Sequence, residues 1–291
     1  MLSKFWQRVA LLSFFFPFFF VLIFLLPYRL HLVLNLCAVV VSVGGSLEIL
    51  ILVRKKGIQI SYVFPVLSGL LPMAAYAEVA GWLSPGWITG VLSALVAVAL
   101  LDGIRIRSDQ EISQTLQRVC GSILVLIYPA LFMTYIVRLT GLEHPSMALL
   151  FFFSLVFAND IMAYVAGMLI GQRYRAYRAG RNLPTLVLAV SPNKTAVGFI
   201  TGLSFSVVMA LVYKWLAPGF ITTGTAGTVL IGVVVGCTTI LGDLVESALK
   251  RSVQVKDSSG VLPGRGGLMD SMDSWLISAP VYYFLLTRLL G

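Results

Sequence analysis

Apolar residues in this chain come in long unbroken runs rather than in alternation. Nine runs stand out, at roughly 9–26, 30–53, 58–80, 87–103, 119–139, 146–170, 196–216, 225–249 and 274–290. A helix needs about 20 mainly apolar residues to cross a bilayer core about 30 Å thick, and most of these runs approach that length. A transmembrane barrel would instead alternate apolar and polar side chains over segments of about ten residues. The pattern predicts an all-α, polytopic membrane protein of about nine transmembrane helices. The first run follows Lys4 and Arg8, as a signal peptide would. It is longer than a typical apolar core of such a peptide and no A-x-A site follows, so it is read as a membrane helix. No linker, repeat or low-complexity tract marks a separate domain. The chain divides only into N-terminal helices, 1–150, and C-terminal helices, 151–291, where the polar residues concentrate.

Composition agrees. Of 291 residues, 58% are hydrophobic and 11% are charged, against roughly 25% charged in soluble domains. A soluble enzyme, a disulfide scaffold, a collagen-like chain and a disordered chain are excluded. Cys37, Cys120 and Cys237 lie far apart in apolar runs and form no C-x-x-C pair, so they read as small buried apolar residues. The net charge of +9 sits in the short polar segments. With the N-terminus inside, all of the 21 Lys and Arg residues fall on the inner side except Arg29, Arg138, Lys214 and Arg288. Cytoplasmic loops are enriched in basic residues, so the expected topology is N-in, C-out. The basic charge is thereby explained by orientation and by anionic phosphate groups. No nucleic-acid motif is present, and no nucleic-acid partner is expected.

An acidic side chain near a span's centre costs about 2.5–3.5 kcal/mol on insertion scales, so each one needs a reason. Glu48 and Glu78 lie near the ends of their runs and read as interfacial or inter-helix polar contacts. Asp160 follows Asn159 deep in the sixth run. Asp243, Glu246, Ser247 and Lys250 fall on one helical face by their spacing. A turn with Pro263, Gly264, Gly266 and Gly267 comes next, and glycines let backbone N–H groups approach a phosphate closely. Asp270 and Asp273 follow at the start of the last run. Hard oxygen ligands beside clustered Lys and Arg are what a Mg²⁺-bound polyphosphate requires. In the other long polar loop, Ser191-Pro192-Asn193-Lys194-Thr195 precedes a helix that it can cap, where Lys194 can meet an anion. Arg173, Arg175, Arg178 and Arg181 suit either a lipid headgroup or topology charge alone.

At these positions the sequence resembles the phosphatidate cytidylyltransferase (CDP-diacylglycerol synthase) family. That family's hallmark runs S-x-x-K-R, four residues, K-D, then P-G-H-G-G-x-x-D-R-x-D. Ser247, Lys250, Arg251, Lys256, Asp257, Pro263, Gly264, Gly266, Gly267, Asp270 and Asp273 fit it at the right spacing. Upstream, D-x-x-A-Y-x-x-G is met by Asp160, Ala163, Tyr164 and Gly167. S-P-x-K-T is met by Ser191, Pro192, Lys194 and Thr195, with Gly198 three further on. The motifs cover about residues 160–274. The family histidine is Arg265 here, the arginine of D-R-x-D is Ser271, and the W-E after S-P-x-K-T is Ala196-Val197. The changes mark a divergent member, in which Arg265 is expected to supply the charge missing at Ser271.

The resemblance implies transfer of CMP from CTP to phosphatidate, giving CDP-diacylglycerol and pyrophosphate in phospholipid biosynthesis. It implies an active site at the cytoplasmic interface of a multi-pass protein of the plasma (cell inner) membrane. In this reading Lys194, Lys250, Arg251, Lys256 and Asp257 form the catalytic set. Ser191, Thr195, Ser247, Gly264, Arg265, Gly266 and Gly267 contact substrate. Asp243 and Asp270 are the first metal ligands, with Asp273 and Asp160 as further ones. The cofactor would be Mg²⁺ (or Mn²⁺), with a second cation allowed. CTP, phosphatidate and membrane lipid are the expected partners, and a homodimer stays open. Two alternatives also stay open: a CTP-dependent transferase acting on an isoprenoid lipid, and a transporter for an anionic solute. Against the transporter, no paired repeat halves are visible.

Overall fold

The computed structural model describes residues 18–104, 112–181, 188–259 and 266–289. Among them all extended regular structure is helical. We number the helices α1 (Tyr28–Lys55), α2 (Val63–Ser68), α3 (Leu70–Val79), α4 (Trp87–Asp102), α5 (Thr115–Leu139), α6 (Pro145–Ala166), α7 (Gln172–Ala179), α8 (Ala196–Leu216), α9 (Thr225–Ser252) and α10 (Met269–Leu289). Five helical stretches are long and apolar enough to cross a membrane: Tyr28–Lys55, Thr115–Leu139, Pro145–Ala179, Ala196–Leu216 and Thr225–Ser252. The chain is an all-α polytopic membrane protein.

Two runs differ from the simple expectation. The run at 58–80 forms two short helices that meet at Gly69. Pro72 has no N–H to give the carbonyl of Ser68 and its ring crowds that carbonyl, so the helix breaks there. The run at 146–170 continues further, through a π-helical turn at Gly167–Gly171 into α7. The helical stretch therefore ends at Ala179, carrying Arg173, Arg175 and Arg178 beyond the apolar segment. The first half of the first run, 9–17, lies outside the described residues; its second half includes a π-helical turn at Val21–Leu25.

The chain forms two compact units: residues 1–146 with 252–272, and residues 147–251 with 273–291. In the first unit α5 packs along α1 and against α2, α3 and α4. Ile49, Leu50, Leu71, Leu126 and Leu139 are buried there. Two ion pairs hold helix ends in this unit, Arg118 to Asp102 at 3.0 Å and Arg138 to Glu78 at 3.6 Å. Glu78 also accepts the backbone N–H groups of Gly86 and Ile88 at 3.0 and 2.8 Å, capping the start of α4.

The second unit packs by close backbone approach. A Cβ added to Gly202 on α8 would stand 2.8 Å from the carbonyl oxygen of Asn159 on α6. One added to Gly232 on α9 would stand 2.7 Å from Val207 Cα on α8. Both glycines belong to G-x-x-x-G spacings, Gly198/Gly202 and Gly232/Gly236, the arrangement that lets membrane helices touch without a side chain between them. Asn159, buried at this contact, donates to the carbonyl of Gly236 at 3.1 Å. Phe151, Phe152, Tyr213 and Tyr282 form an aromatic cluster in the same unit. The cysteines correct one expectation: Cys120 and Cys237 are exposed on the protein surface and Cys37 is half-buried. A thiol is small and apolar enough to face lipid as well as core.

Candidate active site

Each unit carries its own group of polar residues. In the second unit, α9 presents Asp243, Glu246, Ser247 and Lys250 on one face, as their spacing predicts. Lys194 Nζ meets Asp243 Oδ2 at 2.5 Å. One turn along, Lys250 Nζ meets Glu246 at 2.5 Å, and Glu246 is fully buried. Ser247 Oγ lies 3.5 Å from Asp243 Oδ1. Asp273, buried at the start of α10, faces the charges of both Asp243 and Lys250. Its Oδ1 accepts the N–H of Ser274 at 2.6 Å, and the Ser274 hydroxyl reaches Asp160 Oδ1 at 3.4 Å. Four carboxylates and two ammonium groups thus share one region of this unit. The ammonium groups offset the mutual repulsion of the acids, without which burial of so many charges would be prohibitive.

Lys194 is positioned by its own loop. Arg175 donates to the backbone carbonyls of Pro192 and Lys194, and Gln172 Nε2 donates to Asn193 O at 3.1 Å. One member of the arginine group is therefore a staple for the Ser191–Thr195 segment. Thr195 caps α8 by accepting the N–H of Gly198 at 3.1 Å, as the sequence suggests. Ser191 turns back on Leu188 through its backbone N–H at 3.1 Å. Arg251 is exposed at the end of α9.

In the first unit, Gly266 and Gly267 form a tight turn ahead of α10. Gly266 has φ +99°, a conformation that favours glycine. Asp270 closes the turn: its Oδ2 accepts the N–H of Gly267 at 2.6 Å and the N–H of Ser258 at 3.0 Å. Lys256 and Asp257 lie exposed just before Ser258. Ser271 is buried, with its hydroxyl 3.4 Å from Gly267 O. Gly264 and Arg265 lie outside the described residues. Among the described residues no three His, Cys, Asp or Glu side chains converge as a ready metal site.

Glu48 is the residue whose part the sequence reading missed. The expected inter-helix polar contact is present, but it is far more extensive than the sequence implies: the carboxylate accepts four hydrogen bonds from the polar loop and its exit, Ser258 Oγ at 2.8 Å, Ser259 Oγ at 2.6 Å, Leu268 N at 2.8 Å and Met269 N at 2.9 Å. The only signal in sequence was the cost of an acid inside an apolar run.

The sequence model of the cytidylyltransferase family matches residues 6–289. The chain belongs to that family. It is 34% identical over 164 residues to the phosphatidate cytidylyltransferase of Bacillus subtilis, covering 56% of each chain. It is 34% identical over 140 residues to that of Synechocystis, covering 47% of this chain and 42% of the relative. It is 32% identical over 166 residues to that of Aquifex aeolicus, covering 57% of this chain and 56% of the relative. The chain thus matches about half the length of these curated relatives.

Proposed function

We propose that the protein transfers CMP from CTP to phosphatidate at the cytoplasmic face of the membrane, releasing pyrophosphate and leaving CDP-diacylglycerol in the bilayer. The observation that carries this reading is the paired arrangement on α9: Lys194 on Asp243 and Lys250 on Glu246, each at 2.5 Å. A reaction between two anions needs cations held at fixed positions, and preorganised charge is the largest single source of such catalysis. The relatives from Bacillus subtilis and Aquifex aeolicus are phosphatidate cytidylyltransferases, and they suggest the substrate class.

The step is an in-line exchange at phosphorus. A phosphate oxygen of phosphatidate attacks the α-phosphorus of CTP, and the bond from that phosphorus to the bridging oxygen of the β-phosphate breaks. Pyrophosphate leaves with the electron pair. The attacking phosphate is already largely ionised near neutral pH, so no strong general base is required. Lys194, Lys250, Arg251 and Lys256 hold phosphate oxygens, with Asp257 orienting the basic loop. Ser191, Thr195, Ser247, Gly264, Arg265, Gly266 and Gly267 contact substrate. Arg265 takes the place of the arginine that relatives carry at the position of Ser271.

Mg²⁺ or Mn²⁺ would be held by Asp243 and Asp273, with Asp160 nearby. Asp270 would serve a cation at the glycine turn. The Ser274 hydroxyl, 3.2 Å from Asp273 Oδ1 and 3.4 Å from Asp160 Oδ1, lies between two of these carboxylates, which supports this. Mg²⁺ commonly takes only one or two carboxylates and completes its octahedron with water and substrate phosphates. Such an ion supplies charge neutralisation on the polyphosphate.

In this reading the chain has about nine spans with the N-terminus inside, in the plasma membrane. The test is direct. Purified protein is incubated with labelled CTP, Mg²⁺ and phosphatidate, and label is followed into the lipid phase. A parallel reaction contains an isoprenoid phosphate. Label in the phosphatidate lipid is expected. Label only in the isoprenoid lipid would change the acceptor, and label in neither would overturn the reading.

A further inference from the structure

Glu48 sits inside a membrane helix, 4% exposed, where a carboxylate is tolerated only when its lone pairs are filled. All four bonds come from the segment that precedes and opens α10. Oε1 takes Ser259 Oγ and Leu268 N, and Oε2 takes Ser258 Oγ and Met269 N. The two backbone donors stand at the N-terminus of α10, where an anion is favoured by unpaired N–H groups and by the helix dipole. The same Ser258 hydroxyl lies 3.0 Å from Asp270 Oδ2. That oxygen also takes the N–H groups of Ser258 and Gly267. One serine therefore joins the two carboxylates, and its single proton can serve only one of them at a time. Gly267 leaves no space beside them: an added Cβ would fall 2.8 Å from Glu48 Cδ.

We infer that Glu48 is a positioning residue for the reaction: from within the first membrane helix of the described chain it clamps both ends of the polar loop and thereby sets Asp270 and the Gly266–Gly267 turn. The inference rests on the function proposed above for that turn. Glu48 touches no reacting atom. It acts through Ser258 and the start of α10, holding the carboxylate of Asp270 in one orientation and the turn's N–H groups in one direction. An uncharged amide at position 48 keeps the size, but it puts an NH₂ group where the carboxylate accepts two hydrogen bonds. Two of the four donors then lose their acceptor, and with the NH₂ at the Oε2 position the proton of Ser258 passes to Asp270.

The test uses full-length purified protein carrying Glu48→Gln, with Ser259→Ala as a milder variant that removes one of the four bonds. Three quantities are read: kcat and KM for CTP at fixed phosphatidate, the rate of tryptic cleavage after the exposed Lys256, and the melting temperature in detergent. Loss of an outer partner of a ligand typically lowers activity by about 10–100-fold. Glu48→Gln is expected to lower kcat per folded molecule on that scale and to speed cleavage after Lys256 several-fold. Ser259→Ala should move both in the same direction by less. A variant that only melts earlier, with unchanged kcat per folded molecule and unchanged cleavage, overturns the inference. If Glu48→Gln does not fold, an unchanged cleavage rate and kcat in Ser259→Ala overturns it equally. Wild-type protein that loads no label into lipid would defeat the proposed function instead, and the cleavage arm would still decide the role of Glu48.

Discussion

Lys194, in the loop before α8, and Asp243, on α9, meet at 2.5 Å, and each is only partly screened by its surroundings. Removing the charge of Asp243 leaves Lys194 without its partner and weakens any cation held there. Asp243→Asn is expected to lower turnover by at least about a hundredfold, the scale of losing one strong electrostatic contact at such a centre. The check is the initial rate of label transfer into lipid across a Mg²⁺ series. Near wild-type rates at every Mg²⁺ concentration, for this variant and for Asp270→Asn, would remove both acids from the metal assignment. The group on α9 was legible beforehand because Asp243, Glu246, Ser247 and Lys250 repeat at helical spacing, and spacing is a local property. The role of Glu48 was not legible. Its partners lie more than 200 residues away, and nothing in an apolar run states which distant N–H groups will fill a carboxylate. The same holds for Arg175, one of four clustered arginines, which alone donates to the carbonyls of Pro192 and Lys194.

At the level of the helix, several apolar runs match single helices, because a membrane helix must satisfy its backbone internally along its whole length. The run at 225–249 became Thr225–Ser252, and the run at 196–216 became Ala196–Leu216. The break at Gly69 could have been anticipated from Pro72, but composition alone hid it within a continuous apolar stretch. The G-x-x-x-G spacings were visible too, while the helix each one would face was not. The structure supplies that pairing and with it a sharp expectation. A leucine at Gly202 would drive side-chain atoms into the Asn159 carbonyl and the Ala163 methyl, both under 3.0 Å from the new Cβ. Overpacking of this kind costs about 1–3 kcal/mol. Gly202→Leu should therefore melt several degrees below wild type in detergent. Gly219→Leu, where nothing lies within 4 Å of an added Cβ, should melt with wild type. Equal melting of the two variants would show that α6 and α8 do not approach each other in this way.

For the whole molecule, sequence suggests a division at residue 150; the compact units part at residues 146 and 147, with the 252–272 segment joining the N-terminal unit and the end of the chain staying with the C-terminal one. Contacts between distant segments decide such units, and hydropathy carries no information about them. Orientation is a different matter, since it is argued from charge. On a nine-span reading seventeen of the 21 Lys and Arg residues would fall on one side, and by the positive-inside bias that reading assigns this side to the cytoplasm. Residues for labelling must be exposed and lie outside the apolar segments. Ser258 is unsuitable because it is 2% exposed. Ser252, exposed at the end of α9, suits the inner side, and Gly219, exposed between α8 and α9, suits the outer side. The native cysteines Cys37, Cys120 and Cys237 are first replaced by alanine. In intact cells an impermeant thiol reagent should label Gly219→Cys and spare Ser252→Cys, and permeabilisation should bring Ser252→Cys to the same extent of labelling. The reverse pattern would put Lys250 and the loop after it on the outer face, away from cytoplasmic CTP. The proposed reaction could not then draw on its nucleotide, however well its side chains were arranged.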